Sequence, residues 1–176
     1  AYNSKNEGHD MANYTTGYFT NISPTSPEAY AVFNETDKTL TFKYDMAKPA
    51  GAYPLNTGDE SPSWGSDIGY KVKKVIFDAS FANVKPTTTA KWFQYFGSLE
   101  AIEGLENLNT EEVTNMNGMF NRCGNFTTLN LSTFNTAKVT DMSEMFKESY
   151  SMTNIYVSDK FVVTAVTADT DMFKDC

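Results

Sequence analysis

The amino-acid sequence predicts an α/β fold: a right-handed solenoid of about four 26–27-residue rungs, each a strand, a corner and a short helix. A β-hairpin is expected to cap its N-terminal end. Three observations predict this. The phrase "NTEEVTNMNGMFNRC" at 109–123 returns as "NTAKVTDMSEMFKES" at 135–149. The pattern L-x-x-L-x-L, with L any apolar residue, recurs at a fixed step. Two β-rich runs flank a polar turn ahead of its first copy. Self-similarity at roughly 20–50 residues marks arrays in which each unit buries its apolar face against the next.

Residues 1–28 are polar and rich in Asn, Thr and Ser, and read as an irregular extended segment. Between 29 and 46, "AYAVFNETDKTLTFKYDM" alternates apolar and polar residues on either side of NETDK, a hairpin signal. The stretch 47–69, with its prolines, glycines and "TGDESPSWGSD", reads as a long surface loop. Together 29–71 form the cap and loop, and 72–176 the repeats, as one domain.

Within the repeats, L-x-x-L-x-L fits Val72-Val75-Phe77, Phe126-Leu129-Leu131 and Met152-Ile155-Val157. A weaker copy, Leu99-Ile102-Gly104, has glycine in its last slot. Other columns keep the step: Phe81, Leu108, Phe134 and Phe161; Thr87, Thr114, Thr140 and Thr167; Trp92, Met119, Met145 and Met172, each followed by Phe. Alternation at the end of L-x-x-L-x-L suits a strand with one buried face. Met142, Met145 and Phe146 share a helical face, with the threonine column as N-caps.

Composition excludes several function classes. Of 176 residues, 40% are hydrophobic and 20% charged, ordinary for a globular domain. Net charge is −8 without any Lys/Arg cluster, which argues against a nucleic-acid partner. No apolar run reaches the ~18–20 residues of a membrane span. The chain starts at Ala1 without an initiator methionine, so removal of a targeting segment is expected.

Each candidate site has a plainer structural reading. His9, in a polar stretch, reads as a solvated loop residue. Thioethers in a soft-metal site would converge on one point, whereas these methionines recur once per rung and suit core packing. Cys123, Ser149 and Cys176 share a column. Strands lie about 4.8 Å apart, so cysteines two rungs apart are too distant for a disulfide. Two free, buried thiols are expected. Asp59, Glu60 and Asp67 lack the spacing of a calcium loop or a glycosidase pair and read as a solvated loop. Asn-x-Ser/Thr triplets at Asn13, Asn21, Asn34, Asn125 and Asn130 are expected by chance in so Asn/Thr-rich a chain. No cofactor is implied.

The units "LNTEEVTNMNGMFNRC" and "FNTAKVTDMSEMF" closely resemble the repeats of BspA-like leucine-rich-repeat surface proteins, with their VT-x-M-x-x-MF-x-x-C pattern, which also occurs in mycoplasma lipoproteins. The resemblance covers roughly 28–176. It implies a leucine-rich-repeat-like solenoid in a secreted or surface-anchored bacterial protein with adhesive roles, and no catalytic residues. Ser149 stands where the pattern has Cys, and Asp169 where it has its first Met. A tail that often closes such modules, "AYNSKNEGHDMANYTTGYFT", stands here at the start, so the chain is expected to begin in one module's tail and stop within the next.

The function expected is therefore non-enzymatic: an extracellular recognition or adhesion module of a bacterial cell surface. Its partner would be a host or bacterial surface protein or glycan. The natural binding face is the outward strand positions: Lys73, Glu100, Thr127 and Thr153; Lys74, Ala101, Thr128 and Asn154; Ile76, Glu103, Asn130 and Tyr156. The alternatives are a carbohydrate-binding module using Tyr53, Trp64 and Tyr70 as sugar platforms, or a structural spacer in a longer surface array.

Overall fold

A computed structural model describes residues 26–176. His9, Asn13, Asn21 and nearly all of the expected N-terminal segment lie outside the described residues. Strands β1 (Glu28–Asn34) and β2 (Thr39–Asp45) form an antiparallel hairpin. Its turn is fixed by polar side chains: the Thr36 N–H donates to Asn34 Oδ1 (2.9 Å) and the Thr39 N–H to Asp37 Oδ1 (3.1 Å). Strand β3 (Tyr53–Pro54) adds to the free side of β1. On the other side β2 runs parallel to β4 (Lys74–Phe77), and β4 to β5 (Ala101–Glu103), giving the order β3-β1-β2-β4-β5. Strands β6 (Thr128–Asn130) and β7 (Asn154–Tyr156) form a separate parallel pair.

This architecture corrects the expected four-rung solenoid. The described residues form a mixed α/β fold, mostly strands in two sheets, with no solenoid closure. Its one α-helix, α1 (Ser63–Ile68), lies outside the repeats. The helix expected after each threonine is absent because its amides bond elsewhere. In an α-helix each N–H donates four residues back. Here the N–H groups of Met116, Gly118, Phe120 and Arg122 donate to the carbonyls of Asp141, Ser143, Met145 and Lys147 in the following repeat, at 2.8–2.9 Å. Those of Met142, Glu144, Phe146 and Glu148 do the same to Ala168, Thr170, Met172 and Lys174. Amides between them close four-residue turns, such as Met119 N–H to Met116 O (3.2 Å). Two positions per repeat are left-handed: Lys91, Gly118, Glu144 and Asp171, then Tyr95, Arg122, Glu148 and Asp175, with φ from 52° to 64°. A right-handed helix cannot contain them. Met-x-x-Met-Phe spacing matches a helical face, and a chain of turns of similar pitch matches it too.

The threonine column does not cap helices. The Thr114 N–H donates to Thr87 O (2.9 Å), and Thr140 and Thr167 bond back to Thr114 and Thr140 in the same way, each with its hydroxyl on the same carbonyl. One residue on, Thr88, Asn115, Asp141 and Ala168 are joined by parallel bridges. Asn115 Oδ1 and Asp141 Oδ1 each accept the N–H two residues ahead, the Asx turn these side chains favour.

The core runs along this stack. Phe93, Phe120, Phe146 and Phe173 lie ring over ring at 5.6, 5.8 and 5.2 Å, the first three buried and Phe173 exposed. Met116, Met119, Met142 and Met145 are fully buried beside them. Under the hairpin the core is aromatic: Phe42 stacks on Phe77 (4.8 Å) and on Trp92 (5.4 Å). The stretch 47–69, expected as a surface loop, carries β3 and α1 and buries Trp64 and Ile68. Trp64 fits because its indole N–H finds a partner, Trp92 O at 2.8 Å.

Candidate functional site

The outward positions named from the sequence divide into two unlike patches. On β4 and β5 and the residue before each, Lys73 pairs with Glu100 and Lys74 with Glu103, both at 3.1 Å, while Ile76 is half-buried. Exposed pairs of this kind contribute little to stability, so these side chains are free to exchange partners. On β6 and β7 and the residue before each, Thr127, Asn130, Thr153, Asn154 and Tyr156 are exposed and carry no formal charge. Tyr156 is 58% exposed. That patch is a row of hydroxyls and amides beside one aromatic ring.

Between the patches the sheet side opens. The Glu100 N–H reaches Lys73 O (2.8 Å), and the Thr153 N–H reaches Thr127 O (2.8 Å), but residues 127 and 128 make no matching bond to Glu100. A cleft of about 410 Å³ fills the gap, within the size range of small-ligand sites. Glu100, Ile102, Gly104 and Glu106 line one wall, and Thr128, Asn130, Ser132 and Thr133 the other, with Leu105, Phe126 and Leu129 below. The gap is closed at both ends. At one end the Asn125 N–H donates to Leu99 O (2.8 Å). At the other the Thr110 hydroxyl donates to Asn135 O (3.0 Å) and accepts from the Asn135 N–H (2.8 Å).

The weak sequence copy lies at this break. Gly104 takes φ 69°, and the β4–β5 register stops one residue earlier, at Ile76–Glu103. A Cβ on Gly104 would lie 2.3 Å from Phe77 O. The chain turns here into a 3₁₀ turn over Leu105–Asn107 instead of extending β5. Glycine in the last slot was thus the available sign of the cleft. Glu106 and Phe126, which line it, stood outside the outward columns.

A second cluster was not singled out from the sequence. The left-handed positions Tyr95, Arg122 and Glu148 point outward in line: Arg122 lies 5.4 Å from the Tyr95 ring, its Nε is 2.7 Å from Glu148, and Tyr150 Oη donates to Glu148 (3.1 Å). Hydrogen bonding to Glu148 holds the Arg122 guanidinium pKa up, and Arg122 holds the Glu148 carboxyl below its ordinary range. Tyr95 is 55% and Tyr150 72% exposed.

The remaining candidates are dispersed. Each buried methionine packs in the core column. Asp59 accepts from Thr88 Oγ1 (3.2 Å) and Asp67 from Ser66 Oγ (3.3 Å). Among the described residues, no three His, Cys, Asp or Glu converge to hold a metal ion. Cys123 and Cys176 are both free, but only Cys123 is buried. Ser149 covers it, accepting the Cys123 N–H (3.2 Å) and donating to Phe120 O (2.6 Å). Cys176 corrects the expectation of two buried thiols: it is exposed in this structure. Buried Trp64 offers no ring to a sugar, while Tyr70 is exposed and Tyr53 half-buried.

Fold and surface together define a mixed α/β protein in which a 26–27-residue sequence repeat brings equivalent residues into bonded columns. Residues 77–176, more than half of the chain, match the family described as Mycoplasma protein of unknown function, DUF285, and the chain belongs to that family. No curated protein and no solved structure matches it. Among the described residues, no helix is long and apolar enough to cross a membrane.

Proposed function

We propose that this chain is a non-enzymatic recognition module of a bacterial cell surface. It would bind host or neighbouring-cell macromolecules through its sheet side. The observation that carries this reading is the open cleft between β5 and β6, set beside the uncharged row Thr127, Asn130, Thr153, Asn154 and Tyr156. Hydroxyls, amides and an exposed tyrosine suit reversible polar contacts with a macromolecular surface. Each contact is weak, and many copies on one cell surface would raise avidity by effective concentration. The extracellular setting rests on the resemblance of the VT-x-M-x-x-MF units to bacterial surface repeats, and the bacterial origin is supported by the mycoplasma family match. The test is a binding screen of the protein against host-matrix proteins and a glycan array, with Tyr156→Ala and Asn130→Ala as controls. Binding that both substitutions weaken is expected. Absence of binding to either class would leave the chain a structural spacer.

A further inference from the structure

The two walls of the β5–β6 cleft are strand edges, and their chemistry points to one kind of occupant. Successive residues of a strand direct their main-chain groups to opposite neighbours. Ala101 N–H bonds back to Lys73 O, so the N–H and C=O of Ile102 face the cleft. Across it, the Asn154 N–H bonds to Thr127 O and the Leu131 N–H to Tyr156 O. Leu129 therefore serves β7, and the main-chain groups of Thr128 and Asn130 face the cleft. No strand of the described residues pairs with either edge there. Unpaired strand edges are templates for an added extended chain.

Side chains then narrow the choice. Among the described residues, the lining holds two carboxylates, Glu100 and Glu106, and no Lys, Arg or His. Glu106 is exposed and has no ion-pair partner among the described residues, and Glu100 is held only by the exposed Lys73. Beneath them Leu105, Phe126 and Leu129 are buried apolar residues, and the half-buried Ile102 stands beside them. An apolar floor below a carboxylate rim matches a lysine or arginine side chain, which lays its stem on apolar surface and keeps its charge at the rim. Among the described residues, no exposed aromatic ring lines the cleft to stack on a sugar.

We propose that the β5–β6 cleft is a docking slot for a short extended segment of a partner polypeptide carrying lysine or arginine. The segment's main chain bonds to Ile102 on one wall and Thr128 on the other, and its cationic head meets Glu100 and Glu106. The closed ends of the gap, at Asn125 and at Thr110–Asn135, limit it to a few residues. This slot rests on the recognition reading above and names the partner class for it.

The experiment uses labelled heptapeptide pools, random except for a fixed central lysine or a fixed central glutamate, titrated into the protein by fluorescence anisotropy and amide chemical-shift mapping. The lysine pool is expected to bind, to shift the Ile102 and Thr128 amides, and to weaken as salt rises. E100Q/E106Q should lower its affinity roughly fivefold, as expected for two partly exposed charges. N-methylation of alternate peptide bonds should lower it further. Both variant positions are solvent-facing, and a wild-type amide spectrum elsewhere confirms the fold of the double variant. Equal binding of the glutamate pool overturns the slot. So do shifts confined to the Tyr95–Arg122 ridge, or glycan binding that displaces the lysine pool. If the lysine pool fails while the protein still binds matrix proteins, the slot is wrong and the recognition reading stands. If the pool binds the cleft and no macromolecule is bound in the screen, the adhesive role falls and the slot stands.

Discussion

Gly124 shows at the residue scale how tightly neighbouring repeats are joined. A Cβ there would lie 2.2 Å from Leu99 O and 3.0 Å from Leu99 N and C, all main-chain atoms that cannot rotate away. The Gly124 and Asn125 amides also donate to Phe96 O and Leu99 O. Gly124→Ala must therefore separate two repeats, and a loss of about 2 kcal/mol or more is expected in chemical denaturation. An unchanged midpoint would mean that the repeats do not approach this closely. The two cysteines give a second test. Burial pushes the Cys123 thiol pKa well up and removes it from solvent, whereas Cys176, whose pKa partial burial also raises, is exposed to a reagent. One thiol per chain should react with a disulfide reagent in the native protein and two after unfolding, since the thiolate is the reacting form. Two fast thiols in the native protein would place Cys123 at the surface.

Tyr30 governs the hairpin at the scale of elements. Its hydroxyl donates to Asp45 Oδ1 (2.8 Å) across β1 and β2. Burial, then the Asp45 bond and charge, push its pKa up to about 12. The folded state thus favours the neutral phenol. Its contribution is complete below the unfolded pKa of about 10 and is lost as pH rises toward 12. Asp45 has the opposite sign: the Tyr30 bond lowers its pKa, so its contribution is present above about pH 4 and fades as pH falls. Stability of the wild type should fall between about pH 10 and 12 more steeply than that of Tyr30→Phe; parallel curves would mean that the bond does not form. In the repeats Met145 is fully buried in the core column. Met145→Asp places an unpaired charge there and should cost about 3 kcal/mol or more, against less than about 1.5 for Met145→Leu. A well-folded Met145→Asp protein would put that column at the surface.

Legibility from sequence followed the kind of interaction involved. Alternation in 29–46 is visible as strands because side-chain period and burial coincide, as in the buried Leu40 and Phe42. Column spacing located Met119, Met145, Phe93, Phe120 and Phe146, which are buried, while Met172 is partly buried and Phe173 exposed. The same spacing could not tell a helix from a chain of turns, because that depends on where the amides of Gly118, Phe120 and Arg122 bond, and those bonds cross to another repeat. Trp64 was read as a loop residue because its neighbours are polar, while its partner, Trp92 O, is distant in sequence. The outward columns could name Glu100 and Asn130, but not that a gap separates the strands carrying them.

That gap is a property of the whole molecule. On the turn side every repeat is bridged to the next, through Thr88, Asn115, Asp141 and Ala168. On the sheet side β4 pairs with β5 and β6 with β7, while β5 and β6 do not pair. The second and third repeats are therefore hinged at one side and parted at the other, and among the described residues the Ile102 and Thr128 amides along the parting have no acceptor. Native-state hydrogen exchange reads this directly, because an amide without a structural bond exchanges without waiting for the fold to open. The Ile102 and Thr128 amides should exchange far faster than that of Glu103, which faces β4, and that of Leu129, which faces β7. Slowing of Ile102 and Thr128 alone on adding the lysine pool would be the mark of a chain added at the parting. Equal protection of Ile102 and Glu103 in the free protein would mean that β5 and β6 close on each other in solution. The molecule would then present one continuous face of side chains, with no open main chain for a partner to bond.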